Sequence, residues 1–136
     1  MSMITAVQQS LTAFWSQFTA DGQPVPAYIK ELAPTDEGFP YIAMTMRIGS
    51  AMDTLPLVAT VWCKQVNGMS ANKQREEILN QIAAALPHAG VLIPCGAGFL
   101  MMRRSSGDFI TLMTDEEDPD YLGGRVGYEV TFYNMI

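Results

Sequence analysis

YIAMTMRI (41–48) and LVATVWCK (57–64) are the two segments of this chain that decide its fold. In each, an apolar side chain recurs at every second position. These positions are Ile42, Met44, Met46 and Ile48 in the first segment, and Leu57, Ala59, Val61 and Cys63 in the second. A period of two places those side chains on one face of an extended chain, as a half-buried antiparallel strand requires. The segments therefore predict two strands of a sheet that covers a core.

Helical periodicity flanks these strands on both sides. Apolar residues at spacings of three and four between Ile4 and Phe18 predict an amphipathic helix over about residues 2–19. Ser70 is a suitable N-cap for a central helix over about residues 71–86, which Pro87 ends. Its apolar face carries Ile78, Ile82, Ala85 and Leu86, and its polar face carries Lys73, Arg75, Glu76, Glu77 and Asn80.

Further strands complete a sheet. Residues 27–32, which lie between prolines, predict a short edge strand. Residues 99–104 and 109–114 are typical of two strands joined as a hairpin by SSGD (105–108), and a last strand follows at 125–132. The chain thus predicts one α+β domain over residues 1–136, with a mostly antiparallel sheet flanked by the N-terminal and central helices.

Composition excludes several classes of protein. The chain has 136 residues, 49% of them hydrophobic and 16% charged, which favours a folded domain over disorder. The net charge is −6 and the basic residues are scattered, so we expect no sequence-specific nucleic-acid binding. No apolar run approaches the roughly 20 residues that span a bilayer, and the N-terminus does not resemble a signal peptide. We therefore expect no membrane association and a cytosolic origin.

The most conspicuous polar feature is an acidic run, formed by Asp115, Glu116, Glu117, Asp118 and Asp120. Several carboxylates together are what a divalent cation requires, but the spacing does not match an EF-hand loop. A solvated loop is the favoured interpretation, because contiguous carboxylates repel one another. The third interpretation is an electrostatic contact between the acidic run and a basic partner.

Candidate catalytic residues are few. The GAG segment (96–98) is too short to be a dinucleotide-binding loop, and a turn or bulge explains its glycines better. His88 is the single histidine, so no pair of histidines is present for a metal site. Cys63 and Cys95 lie in apolar segments and are interpreted as buried free thiols. The sequence therefore predicts no catalytic residue, no cofactor and no metal, and so a protein that is not an enzyme.

Both faces of the 57–64 strand are apolar, because Val58 and Trp62 lie opposite Val61 and Cys63. Such a strand needs a cover on each side, and the second cover is either the N-terminal helix or another subunit. The residues predicted to form a subunit or partner interface are Val58, Trp62, Met101, Met102, Arg103 and Arg104.

As a whole, residues 39–133 resemble the phage tail terminator family, also called tail completion or minor tail proteins. The resemblance rests on FPYI (39–42), VWCK (61–64), QREEIL (74–79) and GYEVTFY (127–133), with a hairpin and an acidic loop between the last two. Family members form homo-oligomeric rings, typically hexamers, that cap the tail tube and present a surface to the head connector. The resemblance therefore implies a structural protein that assembles in the bacterial cytoplasm and resides in the virion tail. The partners it implies are further copies of the chain, a tail tube protein and a head–tail connector protein.

Other classes of function stay open at this point. A related virion role, such as a head–tail connector or part of a contractile injection machine, needs the same kind of surfaces. A curved sheet wrapped on a helix could instead enclose an apolar pocket and form a small-molecule-binding module. Carboxylates alone could also serve as acid and base in an enzyme. In the ring-forming tail terminator that the resemblance implies, the acidic run would line the lumen through which DNA passes.

Overall fold

The computed structural model describes residues 3–29, 40–45, 54–65, 70–96, 98–114 and 120–133. Two helices and a mostly antiparallel, curled sheet make up this part of the chain, which confirms the α+β class. The elements in chain order are α1 (Met3–Trp15), β1 (Thr19–Ala20), β2 (Gln23–Pro24), β3 (Ala27–Ile29), β4 (Tyr41–Thr45), β5 (Leu55–Lys64), α2 (Ala71–Ala85), β6 (Val91–Cys95), β7 (Gly98–Arg104), β8 (Ile110–Thr114) and β9 (Tyr121–Tyr133).

The sheet is organised around β9, which is 13 residues long. The strand order is β3-β4-β5-β9-β7-β6, and β8 also pairs with β9. The β3–β4 pair is parallel, and the remaining pairs of this sheet are antiparallel. A separate two-stranded ribbon is formed by β1 and β2.

Both helices begin close to the expected residues. The Oγ of Ser70 accepts a hydrogen bond from the backbone N–H of Lys73 at 3.4 Å, so Ser70 is the N-cap of α2 as predicted. The first helix ends at Trp15 and not near residue 19, because Thr19 and Ala20 instead pair with β2. The turn between those two short strands contains Asp21 and Gly22, both with positive φ.

The prediction of a hairpin at residues 105–108 is wrong. Strands β7 and β8 run in the same direction, one after the other along one edge of β9. Residues 105–109 bulge out of this edge opposite a single residue of β9, Gly127. Ser105 donates its backbone N–H to the Gly127 carbonyl at 3.0 Å, and Gly127 donates its own N–H to the Phe109 carbonyl at 2.8 Å. A Cβ at Gly127 would lie 2.9 Å from the carbonyl oxygen of Asp108, so a glycine is needed there.

The hairpin lies one strand earlier, between β6 and β7. Cys95 pairs with Gly98, which leaves a two-residue connection that begins at Gly96 with a φ of 59°. The interpretation of the GAG segment as a turn is therefore confirmed. Strands β8 and β9 also pair antiparallel up to Thr114 and Leu122, and the acidic run lies between these two residues in sequence.

Both helices cover the same face of the sheet. The Trp15 ring of α1 packs against Tyr128 of β9 with a centroid distance of 5.2 Å, and Leu79 of α2 packs against Gly124. The two helical regions are tied together by Gln81, whose Nε2 donates to the Thr19 carbonyl at 2.6 Å. We call the helix-covered side the inner face and the opposite side the outer face.

Candidate interaction surface

The outer face has no helix on it within the described residues. Antiparallel partners share a face, so the register identifies its members. Trp62 of β5 pairs with Gly123 of β9, which pairs with Met113 of β8. Farther along the sheet, Val58 pairs with Thr45 and Gly127, and Thr60 pairs with Ala43 and Arg125. Residues of β7 that share this face are Met101 and Arg103, which pair with Thr131 and Glu129.

Trp62 is the largest side chain at the centre of this face. Its ring lies over Gly123, where an added Cβ would be 2.9 Å from the ring. The side chain is half-buried against its own sheet and has no helix above it. A groove of about 510 Å³ beside it is lined by Ala43, Thr45, Pro56, Leu57, Val58, Thr60, Trp62, Met113 and Arg125. The alternation predicted for the 57–64 strand is confirmed, and α1 is not the cover for Trp62.

A second apolar group lies at the other end of the outer face. Leu92 pairs with Met101, and Phe99 pairs with Tyr133. Leu92 is 55% exposed and Tyr133 is 49% exposed, although both are large apolar side chains. Between the two apolar groups lies a polar band that contains Arg125 and the Arg103–Glu129 pair. The outer face is therefore mixed, with apolar areas at both ends and charge in the middle.

The residues predicted to form an interface do not all lie on this face. Val58, Trp62, Met101 and Arg103 do, whereas Met102 is fully buried in the core. Met102 lies at an inner-face position, since it alternates with Met101 along β7. Met102 therefore packs inside the protomer, and of the two methionines only Met101 is available to a partner.

Arg104 holds the C-terminus of α2. Its Nε donates to the Leu86 carbonyl at 2.7 Å and its Nη2 to the Ala83 carbonyl at 3.0 Å, and these carbonyls belong to the last turn of the helix. The guanidinium also stacks on Phe109 at 4.3 Å from the ring centroid, and Nη1 lies 3.2 Å from Nε2 of His88. Arg104 is thus a capping residue of the protomer, and His88 accompanies it at the helix end.

The acidic run falls mostly outside the described residues, which include only Asp120 of its members. The carbonyl of Asp120 accepts a hydrogen bond from the Gln65 N–H at 3.0 Å. In the part of the chain that the structure describes, no three His, Cys, Asp or Glu side chains are grouped closely enough to hold a metal ion. No helix among the described residues has the length and apolarity to cross a membrane.

Arg75 binds the paired ends of β8 and β9. We expected this residue on the polar face of α2, but it is only 9% exposed. Its Nη1 donates to the carbonyls of Met113 at 3.2 Å and Gly123 at 3.1 Å, and its Nη2 donates to Oδ1 of Asn72 at 3.1 Å. The long side chain therefore passes under the edge of the sheet and ties β8 and β9 to α2.

Replacing Arg75 with methionine is expected to lower the free energy of unfolding by about 2–4 kcal/mol, because three charge-assisted hydrogen bonds are lost from a buried position. Urea denaturation followed by circular dichroism measures the change. Lys73→Met is the matched control, since Lys73 is exposed two residues away and should stay within about 0.5 kcal/mol of the parent. Equal effects of the two substitutions would contradict the assigned role of Arg75.

Cys63 lies on the inner face of β5 and is a buried free thiol, as is Cys95, and both interpretations from sequence are confirmed. Burial raises the pKa of the Cys63 thiol from 9.0 to about 12, and the Arg75 guanidinium acts in the opposite direction. A thiol in this state is protonated at neutral pH and is a poor nucleophile.

The raised pKa of Cys63 predicts that stability falls as pH rises above about 9. In that range the unfolded chain releases the thiol proton and the folded chain keeps it, so unfolding is favoured by up to about 1.4 kcal/mol per pH unit. Chemical denaturation between pH 8 and pH 11 should show the decrease, and Cys63→Ala should show a shallower slope. Slopes that coincide in the two proteins would contradict the assignment.

Searches against family models, curated proteins and solved structures returned no match to this chain.

Proposed function

We propose that this chain is a structural tail protein of a phage or prophage, a ring-forming tail terminator that caps the tail tube and joins it to the head connector. It would assemble in the bacterial cytoplasm and reside in the virion tail. The observation that carries the proposal is the outer face, a broad sheet surface that keeps Val58, Trp62, Met101 and Met113 on the side opposite both helices.

The composition of this face supports a protein contact. Because these apolar side chains are only half-buried, each forgoes part of the roughly 1.5–3 kcal/mol that full burial of a large apolar side chain contributes. Apolar side chains with polar ones beside them are typical of an interaction site, and Arg103, Arg125 and Glu129 form the polar band between the two apolar groups of this face. A contact between copies that joins two different surfaces of the chain generates a ring when its rotation closes.

A tail terminator also needs two distinct surfaces for two partners. One side of the outer face ends where β8 and β9 adjoin, and the acidic run lies between these two strands in sequence; the other side ends in Leu92, Phe99 and Tyr133. The two ends therefore differ in the charge of the adjoining sequence and in apolar character. This asymmetry suits a ring whose one side meets the tube protein and whose other side meets the connector.

The second candidate function is a small-molecule-binding module, and the groove beside Trp62 is the observation that favours it. Its volume of about 510 Å³ falls within the usual range of ligand pockets, roughly 300–1,000 Å³. The groove lies on the open outer face, however, whereas the space between sheet and helices holds fully buried side chains such as Trp15 and Tyr128. A bound ligand seen by native mass spectrometry of the purified protein would favour this candidate.

Capping of tail tubes tests the proposed function. The tube protein of the same genome is polymerised in the presence and absence of this protein, and tube ends are viewed by negative-stain electron microscopy. The proposal predicts a ring at one end of each tube and an end to tube growth. Tubes that lengthen without limit and carry no end density at saturating protein would contradict it.

A further inference from the structure

The edge of β8 has no strand or helix over it among the described residues. Its residues are Ile-Thr-Leu-Met-Thr (110–114), with no proline and no charge, and the central Leu112 is 60% exposed. Proteins usually blunt such edges with charge, proline or a covering element, because unpaired backbone groups recruit another strand. Within the described residues β8 pairs only with β9.

The register identifies the backbone groups that point outward from this edge. The Gly127 N–H donates to the Phe109 carbonyl, so alternate residues from Phe109, namely Thr111 and Met113, direct their N–H and C=O groups to β9. Ile110 and Leu112 therefore direct theirs away from the sheet. Their side chains lie on the inner-face side, because Val126, the partner of Ile110, is a buried core residue.

The neighbouring edge of β6 is blunted by comparison. Its outward positions include Pro94, which has no N–H to offer. The Pro94 carbonyl accepts a hydrogen bond from Oγ of Ser10 at 2.8 Å, so α1 occupies this edge as well. In the described part of the chain, one edge on this side of the sheet is thus protected and the other is open.

The opposite end of the sheet supplies a second open edge, β3. It is uncharged (Ala27–Ile29) and pairs only with β4 among the described residues. The Ile42 N–H donates to the Pro26 carbonyl, so Tyr28 also faces β4, and Ala27 and Ile29 direct their backbone groups outward. The side chains of Ala27 and Ile29 pack against the core and so belong to the inner face.

We propose that the β8 edge of one copy pairs antiparallel with the β3 edge of the next, so that the sheet continues from subunit to subunit. This inference rests on the proposed ring for its closure. Three properties of the two edges support this pairing. In the order β3-β4-β5-β9-β8, the strand directions make β3 of a following copy antiparallel to β8. The outward residues of both edges carry inner-face side chains, so the two sheets join with their faces matched. The free backbone groups on both edges also recur at every second residue.

One register places Leu112 opposite Ile29 of the next copy. That pairing covers the exposed leucine and sets Tyr28 of the next copy beside Met113 on the outer face. Tyr28 already lies 6.4 Å from the Tyr41 ring, centroid to centroid. The apolar row that begins at Trp62 and Met113 would then continue into the neighbour.

Two β8 strands pairing with each other would be the competing arrangement. A pair of this kind is two-fold symmetric, so it closes a dimer and leaves the β3 edge of each copy out of the contact. The observations therefore favour a contact between the two different edges, which is the kind that closes into a ring.

Two substitutions at Leu112 separate the contributions that its backbone and its side chain make to the edge contact. Leu112→Pro removes the outward N–H, for which no described residue of the protomer is an acceptor, and Leu112→Thr keeps it while removing the apolar side chain. Sedimentation should show assembly weakened at least about tenfold by the proline and much less by the threonine. Circular dichroism verifies that both variants are folded. Assembly as tight in Leu112→Pro as in the parent would overturn the proposal, and so would a parent chain that stays monomeric.

Cysteine cross-linking identifies the partner strand. Tyr28 and Met113 would lie at directly opposed positions whose Cα atoms are about 4.5 Å apart, which suits a disulfide. The Tyr28→Cys/Met113→Cys chain should form a ladder of covalent oligomers on oxidation, and neither single variant should. An assembled double variant without a ladder, or a single variant that cross-links equally well, would overturn the edge pairing. Because this readout does not involve tubes, a ladder combined with a failure to cap tubes would refute the proposed function and leave the contact standing.

Discussion

Trp15→Ala is expected to lower the free energy of unfolding by about 3–5 kcal/mol, the largest effect on stability that a single substitution in α1 should have. The side chain is completely buried, and its ring packs against Phe14, Phe18 and Tyr128 with centroid distances of 5.2, 5.9 and 5.2 Å. Its removal leaves a cavity between α1 and β9 that close-packed neighbours fill only in part. Urea denaturation followed by circular dichroism measures the loss.

Trp62→Ala is the matched control for this experiment, since it removes the chain's other tryptophan. Trp62 is half-buried on a helix-free face, so we expect it to change stability by about 1–2 kcal/mol. A Trp62→Ala variant that unfolds as readily as Trp15→Ala would mean that Trp62 belongs to the core of the protomer, and the assignment of the outer face would fail.

The same Trp62→Ala substitution should have its main effect on assembly. Trp62 shares the outer-face groove with Met113, and the proposed edge contact sets Tyr28 of the next copy against Met113, so the Trp62 ring lies in the apolar row that crosses the contact. A large, partly desolvated aromatic side chain in such a row is typical of a hot spot, which contributes 2 kcal/mol or more to association. We therefore expect association between copies to weaken by at least about thirtyfold, measured by sedimentation velocity over a dilution series. The protomer should keep its circular dichroism spectrum.

A charge-matched pair controls for net charge in the assembly experiment. Val58→Lys adds one positive charge on the outer face, and Asn80→Lys adds the same charge on the exposed side of α2. Only the first should weaken assembly. If both variants assemble as the parent does, Val58 is not at the interface, and if both fail, the effect comes from the total charge.

The strands were predictable from sequence wherever one face is buried and the other is not. In β5 the alternation of buried and half-buried residues follows the apolar period, because its register is fixed by the core. The N-cap at Ser70 was equally predictable, since a hydroxyl before a helical segment satisfies a free N–H. These features depend on residues close in sequence or on which side of a strand faces the core.

The features that sequence did not reveal depend on contacts between distant segments. SSGD at residues 105–108 has the composition of a hairpin turn. Gly127 of β9, however, hydrogen-bonds to Ser105 at one end of this segment and to Phe109 at the other, which keeps β7 and β8 in line. Only the missing Cβ at Gly127 hinted at such a close approach. The composition of a turn does not determine which strand the chain pairs with after it.

Two arginines illustrate the same limit. Helical periodicity assigned Arg75 to solvent, yet its guanidinium finds carbonyl acceptors on β8 and β9 that lie more than 35 residues away in sequence. Arg104 was grouped with Arg103 as an interface residue, yet it caps α2. A long cationic side chain is buried when distant acceptors satisfy its donors, and their positions are not visible in the local sequence.

Mass in solution tests the central claim most directly, which is that copies of this chain associate through the sheet. Light scattering coupled to size exclusion, over a dilution series and with or without the tube protein, measures it. A ring of six copies of the 14.9 kDa chain has a mass of about 89 kDa, and the account predicts a species of this size that Trp62→Ala dissociates. A mass of 14.9 kDa at every concentration and in both conditions would contradict it.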